Sequence, residues 1–111
     1  MRHLDDAGRY TAPDAERTNR WIEHLRVDAL SVGTYSVPAG GADTQRPHTE
    51  DEVYVVMSGR GTFEAAGQRV EAGAGTVLYV PADEEHRFVD VTEDLAVLVV
   101  FAPPEYSQRQ R

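Results

Sequence analysis

The chain has 111 residues, enough for one domain around one modest core. Its formal charge of −8 disfavours a polyanionic partner, because neutralising DNA or RNA phosphates takes a basic face. Cysteine and lysine are both absent, which excludes thiolate nucleophiles, disulfides, zinc–thiolate sites, lysine Schiff bases and phosphate loops that depend on a lysine.

Residues 1–20 are polar, contain Pro13 and show no sustained period. They read as an N-terminal arm. "DAERTNRWIEHL" suits either a short amphipathic helix from Asp14 or an irregular lead into a strand at Trp21, and the apolar positions do not choose. From Trp21 onward the signals are those of short strands. "HLRVDALSVGTYSV" stops at Pro38-Ala39-Gly40-Gly41, and "EVYVVMS" ends at Gly59, where the chain is expected to turn back. "TFEAA", "QRVEA", "TVLYV", "HRFVDV" and "LAVLVVF" follow, with Gly or Pro between most of them. Seven or more short strands at this spacing predict an all-β sandwich or barrel over residues 21–104, with 105–111 as a solvated tail. No segment repeats at a long period, and no apolar run is long enough for a bilayer. With no signal-peptide pattern either, the expectation is a soluble, cytoplasmic protein with no membrane partner.

Three residues have the chemistry to hold a divalent ion and lie where a β fold can gather them: His48, Glu52 and His86. Imidazole nitrogen with carboxylate oxygen suits one transition metal among Fe, Mn, Ni, Cu and Zn. His48 and Glu52 are an even number of positions apart, so on a regular strand they share a face. His86 opens a later strand, with Phe88 and Asp90 at its parity. Glu50 and Asp51 are expected to stay in water.

The segment from Gly40 to Gly59 resembles the first motif of the cupins, with His48 as its second histidine and Glu52 as its glutamate. Gly75, Pro81, Asp83, His86 and Asp90 reproduce the spacing of the second motif. The resemblance implies a cupin-type double-stranded β-helix, or jelly-roll barrel, preceded by a short irregular or helical arm. It implies a metal on His48, Glu52 and His86, a small-molecule ligand in the barrel, and a homodimer in which Trp21 and the strand after it pack across the interface.

Three positions depart from the family pattern. Arg46 stands at the first histidine and cannot be a neutral ligand, which leaves three ligands instead of four. Asp83 replaces a turn glycine, and Asp90 replaces an asparagine. Arg46 either holds a substrate anion or points outward to Asp43 or Glu50. Tyr35, Tyr54, Phe63 and Phe88 are candidates to line the pocket with it. The functional expectation is a metal-binding cupin acting on a small organic substrate by oxygenase, isomerase or lyase chemistry. The alternative is a non-catalytic barrel that binds an anion through Arg46.

Overall fold

A computed structural model describes residues 1–108, and their regular structure is entirely β. The strands are β1 (Arg20–Arg26), β2 (Ser31–Val37), β3 (Asp51–Ala65), β4 (Gln68–Gly73), β5 (Val77–Val80) and β6 (His86–Ala102). All pairings are antiparallel, in the order β1-β2-β6-β3-β4, with β5 also on β3. No helix among the described residues is long and apolar enough to cross a membrane.

Six strands stand among the described residues where seven or more were expected: two pairs of expected strands are each continuous, while "HLRVDALSVGTYSV" divides between β1 and β2. "EVYVVMS" and "TFEAA" both lie in β3, and "HRFVDV" and "LAVLVVF" both lie in β6. Gly59 therefore does not turn the chain back. It sits at φ +87° among register shifts between Val56 and Thr62, where β3 bends against β6. A Cβ there would lie 2.1 Å from the Asp94 carbonyl oxygen, so only glycine lets the two strands approach.

These irregularities keep the apolar face inward on both halves of each long strand. In β3 the buried residues are Glu52, Tyr54 and Val56 before Gly59, then Gly61 and Phe63 after it. Their parity switches from even to odd across the bulge. In β6, His86 and Phe88 are buried at even positions, whereas Val91, Val97, Val99 and Phe101 are buried at odd ones. Asp90 stands at the switch, exposed and at φ +48°, and so does not share the buried face of His86 as its parity suggested. Without such a shift one half of each strand would turn its apolar set to solvent.

The core between the halves contains Tyr35, Val37, Tyr54, Val56, Phe63, Phe88, Leu95 and Phe101. Phe63 meets Phe88 edge-on at 4.8 Å and Tyr54 at 5.6 Å. Trp21 packs within its own chain, edge-on to Phe101 at 6.0 Å, with its ring over Gly33. The N-terminal arm is irregular up to Arg20 rather than helical, and it docks on β2. There the Gly8 amide donates to Thr34 Oγ1 and the Thr11 amide to Ser36 Oγ.

Candidate metal centre

Loop 38–50 delivers the first ligand candidate, and Asp43 organises that loop. Its carboxylate accepts from the Tyr35 hydroxyl (2.7 Å), the Phe88 amide (2.8 Å), and both the amide and the side chain of Gln45 (3.1 Å each). His48 follows, and its carbonyl accepts from the Asp83 amide at 2.7 Å, which ties the loop to the turn before β6. Asp83 holds φ +67° in that turn, the left-handed conformation that the family's glycine would take easily and that Asp tolerates.

Glu52 and His86 are not neighbours in the sheet. Glu52 pairs with Phe101, and His86 pairs with Ala65 at the far end of β3. They meet because β3 and β6 fold over at the bulges. His48, Glu52 and His86 then present ligand atoms that all lie within 4.8 Å of one another, with each residue buried.

Hydrogen bonding fixes which atoms face the centre. His86 Nδ1 is 2.7 Å from the Glu84 carbonyl, which can only accept, so Nδ1 carries the proton. Its Nε2 lies 2.8 Å from Glu52 Oε1 and 2.8 Å from the Tyr54 hydroxyl. His48 Nε2 lies 2.9 Å from Glu105 Oε2, again an acceptor, so its Nδ1 faces inward, 3.7 Å from Glu52 Oε2. His48 Nδ1 and Glu52 Oε2 are buried, and neither has a hydrogen-bond partner. Leaving two such atoms unsatisfied side by side costs about 1–3 kcal/mol each.

The electrostatics agree with a cluster that wants cationic charge. Burial lowers the His48 pKa, but the hydrogen bond to Glu105 and the adjacent Glu52 carboxylate outweigh it and push it up to about 9. His86 is also raised, its bond to Glu52 outweighing burial. Burial raises Glu52, yet the two histidines beside it, His86 in direct contact, hold the carboxyl below its ordinary value. Tyr54, buried beside Glu52, is pushed well above the usual phenol range and keeps its proton.

A divalent ion fits these residues. It would take His48 Nδ1, His86 Nε2 and Glu52, satisfying both orphaned atoms and displacing the proton that joins His86 Nε2 to the Glu52 carboxylate. Two imidazoles with one carboxylate form a three-ligand set that leaves coordination positions open.

The family model describing the cupin domain matches residues 33–101. The chain belongs to the cupin family. This cupin is 44% identical over 94 residues to an uncharacterized protein of Streptomyces coelicolor, covering 85% of this chain and 90% of that one. Among solved structures it resembles KdgF from a Halomonas species, with TM-score 0.72, 21% identity, and coverage of 82% of this chain and 84% of that one. It also resembles a cupin superfamily protein from Desulfitobacterium hafniense, with TM-score 0.73, 18% identity, and coverage of 91% and 90%. At these identities the solved structures speak for the fold alone.

Arg46, at this cupin's first-histidine position, is exposed, and no ion pair holds it among the described residues; neither Asp43 nor Glu50 is its partner. Gln45 beside it takes the inward direction, accepting from the Tyr54 hydroxyl at 3.2 Å, so Arg46 is turned out. Tyr54 touches the centre directly, whereas Phe63 and Phe88 belong to the aromatic core. Tyr35 lines a pocket of about 140 Å³ together with Trp21, Gln45, Val99 and Phe101. A larger cleft of about 790 Å³ runs over Gln45, Pro47, Glu64, Arg69 and His86, but the His86 side chain is fully buried beneath it.

Sequence reasoning missed three carboxylates. Glu50, expected in water, is wholly buried and accepts from the amides of Tyr106 and Gln108 and from the Thr49 hydroxyl. Asp43 is the hub of the loop, and Glu105 reaches His48 from the segment read as a tail. Residues 105–108 form a turn against the barrel, and the rest of that segment, 109–111, lies outside the described residues. A period-based reading cannot find these roles, because the contacts of Asp43 with Phe88, of Glu105 with His48 and of Glu50 with Tyr106 and Gln108 join residues far apart in sequence.

Proposed function

We propose that this cupin binds one divalent transition metal at His48, Glu52 and His86 and acts on a small organic molecule beside it. The observation that carries the reading is the pair of buried, unpartnered atoms, His48 Nδ1 and Glu52 Oε2, facing each other with His86 Nε2 alongside. A bound metal would supply Lewis acidity or, as iron, a means of activating dioxygen, which suits isomerase, lyase or oxygenase chemistry. The chain's own part is to orient and enclose. Phe101 both lines the small pocket and packs against the His48 ring at 4.6 Å, so ligand and metal would share this residue as a neighbour. A pocket of about 140 Å³ with mainly apolar walls suits a ligand about the size of benzene. Asn19, Thr44 and Gln45 supply polar groups to orient it.

Elemental analysis of untagged protein, beside a His48→Ala/His86→Ala double variant, tests this. About one metal per chain in the native protein, lost in the variant while the β spectrum persists, supports it. Absence of metal from the native protein after reconstitution with Fe(II), Mn, Ni, Cu and Zn would remove it.

A further inference from the structure

The turn after β6 is built into the site. Pro104 is buried, the Glu105 amide donates to Ser31 Oγ at 2.9 Å, and Arg26 donates to the Glu105 carbonyl. The buried Glu50 carboxylate accepts from the amides of Tyr106 and Gln108, and the Gln108 side chain donates to the Thr49 carbonyl at 3.1 Å. A wholly buried carboxylate committed to two backbone amides is a strong fastening, since each charge-assisted bond is worth about twice a neutral one. What the fastening holds in place is a covering for His48. Tyr106 stacks on the ring at 5.0 Å and 24°, Phe101 packs against it at 4.6 Å, and Glu105 Oε2 meets Nε2 at 2.9 Å.

A histidine presents only one lone pair when neutral, and the partner of its other nitrogen decides which. The two stacking contacts fix the ring plane but not its proton, since both nitrogens lie in that plane. Only the Glu105 contact is specific for Nε2–H. We infer that Glu105 is a positioning residue: it fixes the His48 proton on Nε2 and so commits Nδ1 as the ligand atom. His86 is committed in the opposite sense, with Nδ1–H on the Glu84 carbonyl and Nε2 facing the centre. The two histidines would thus offer different nitrogens, one oriented by a carboxylate and one by a backbone carbonyl. This rests on the metal reading above and extends it to a residue from outside both cupin motifs.

Nitrogen-15 NMR of histidine-labelled full-length protein loaded with zinc(II) tests the inference, with zinc affinity measured for Glu105→Ala and Glu105→Gln. The native protein should carry zinc on Nδ1 of His48 and a proton on Nε2. Affinity should fall about 10–100-fold in Glu105→Ala and recover most of the way in Glu105→Gln, whose amide oxygen still accepts. Zinc on Nε2 of His48, or equal affinity for native protein and Glu105→Ala, would overturn it. If the native protein takes up no zinc, the metal reading falls, and metal-free spectra recorded above the pH at which the His48 resonances stop shifting decide the inference separately. An Nε2–H tautomer that Glu105→Ala converts to a mixture supports it, and one tautomer unchanged between the two proteins refutes it.

Discussion

Adding a divalent ion at acidic pH should drive protons out of this protein, and the number can be worked from the four side chains at the centre. Without metal, His48 has a pKa of about 9 and His86 is raised above its ordinary 6.5, so at about pH 6 both rings are mainly cationic. They face Glu52 and Glu105, so two positive charges meet two negative ones. A divalent ion bound to neutral imidazoles leaves the same balance, because it brings two positive charges while two protons leave. The exchange should therefore release about two protons per ion at pH 6, and affinity should rise as much as 100-fold per pH unit there. At about pH 10 the His48 proton is already gone, so release should fall to one or none. Calorimetric titration in buffers of different ionisation enthalpy, or direct titration of released acid, measures the count. Tight binding at pH 6 with no proton released would refute the reasoning, since it would mean that the histidines are neutral beside two carboxylates. The same groups set the stability of the metal-free protein. The raised His48 pKa contributes stability that is fully present below about pH 6.5 and is lost as pH rises through about 9. At about 1.4 kcal/mol per pH unit the loss is on the order of 3 kcal/mol, read as a falling denaturation midpoint. Metal should reverse the trend, stabilising most at high pH.

Replacing Arg46 with Gln should leave metal content and affinity unchanged and stability within about 0.5 kcal/mol, because the side chain is exposed and holds no ion pair; metal analysis and a denaturant titration check this. Gly59→Ala should cost about 1–3 kcal/mol or more in the same titration, since it combines φ +87° with a Cβ placed 2.1 Å from the Asp94 carbonyl oxygen. Glu50→Ala should free the turn at 105–108 by removing the acceptor for two amides, seen as faster hydrogen exchange at Tyr106 and Gln108 with β1 to β5 unchanged. Unchanged protection at those amides would mean that the stacking of Tyr106 on His48 holds the turn by itself.

The sequence by itself determined the kind of fold and the chemistry of the centre. Short β-branched runs broken by Gly and Pro gave an all-β reading, and the spacing of His48, Glu52 and His86 marked the ligand candidates that the structure gathers. Local signals suffice there, because strand propensity and ligand type are properties of single residues and short intervals. Bends were less legible. Gly59 looks like a strand end and Asp90 like a residue facing inward with His86, yet each lies inside one long strand at positive φ where the face switches, a distinction that depends on what the neighbouring strand does. Only the tertiary structure brought Glu52 and His86 together, since one pairs with Phe101 and the other with Ala65, and their meeting requires the sheet to fold over. It alone also buried Glu50 and placed Glu105 against His48, reversing two expectations of solvent exposure. A carboxylate reads as solvated by default, because removing its charge from water is costly. Whether backbone amides and an imidazole are waiting to offset that cost is settled by chain segments more than fifty residues away.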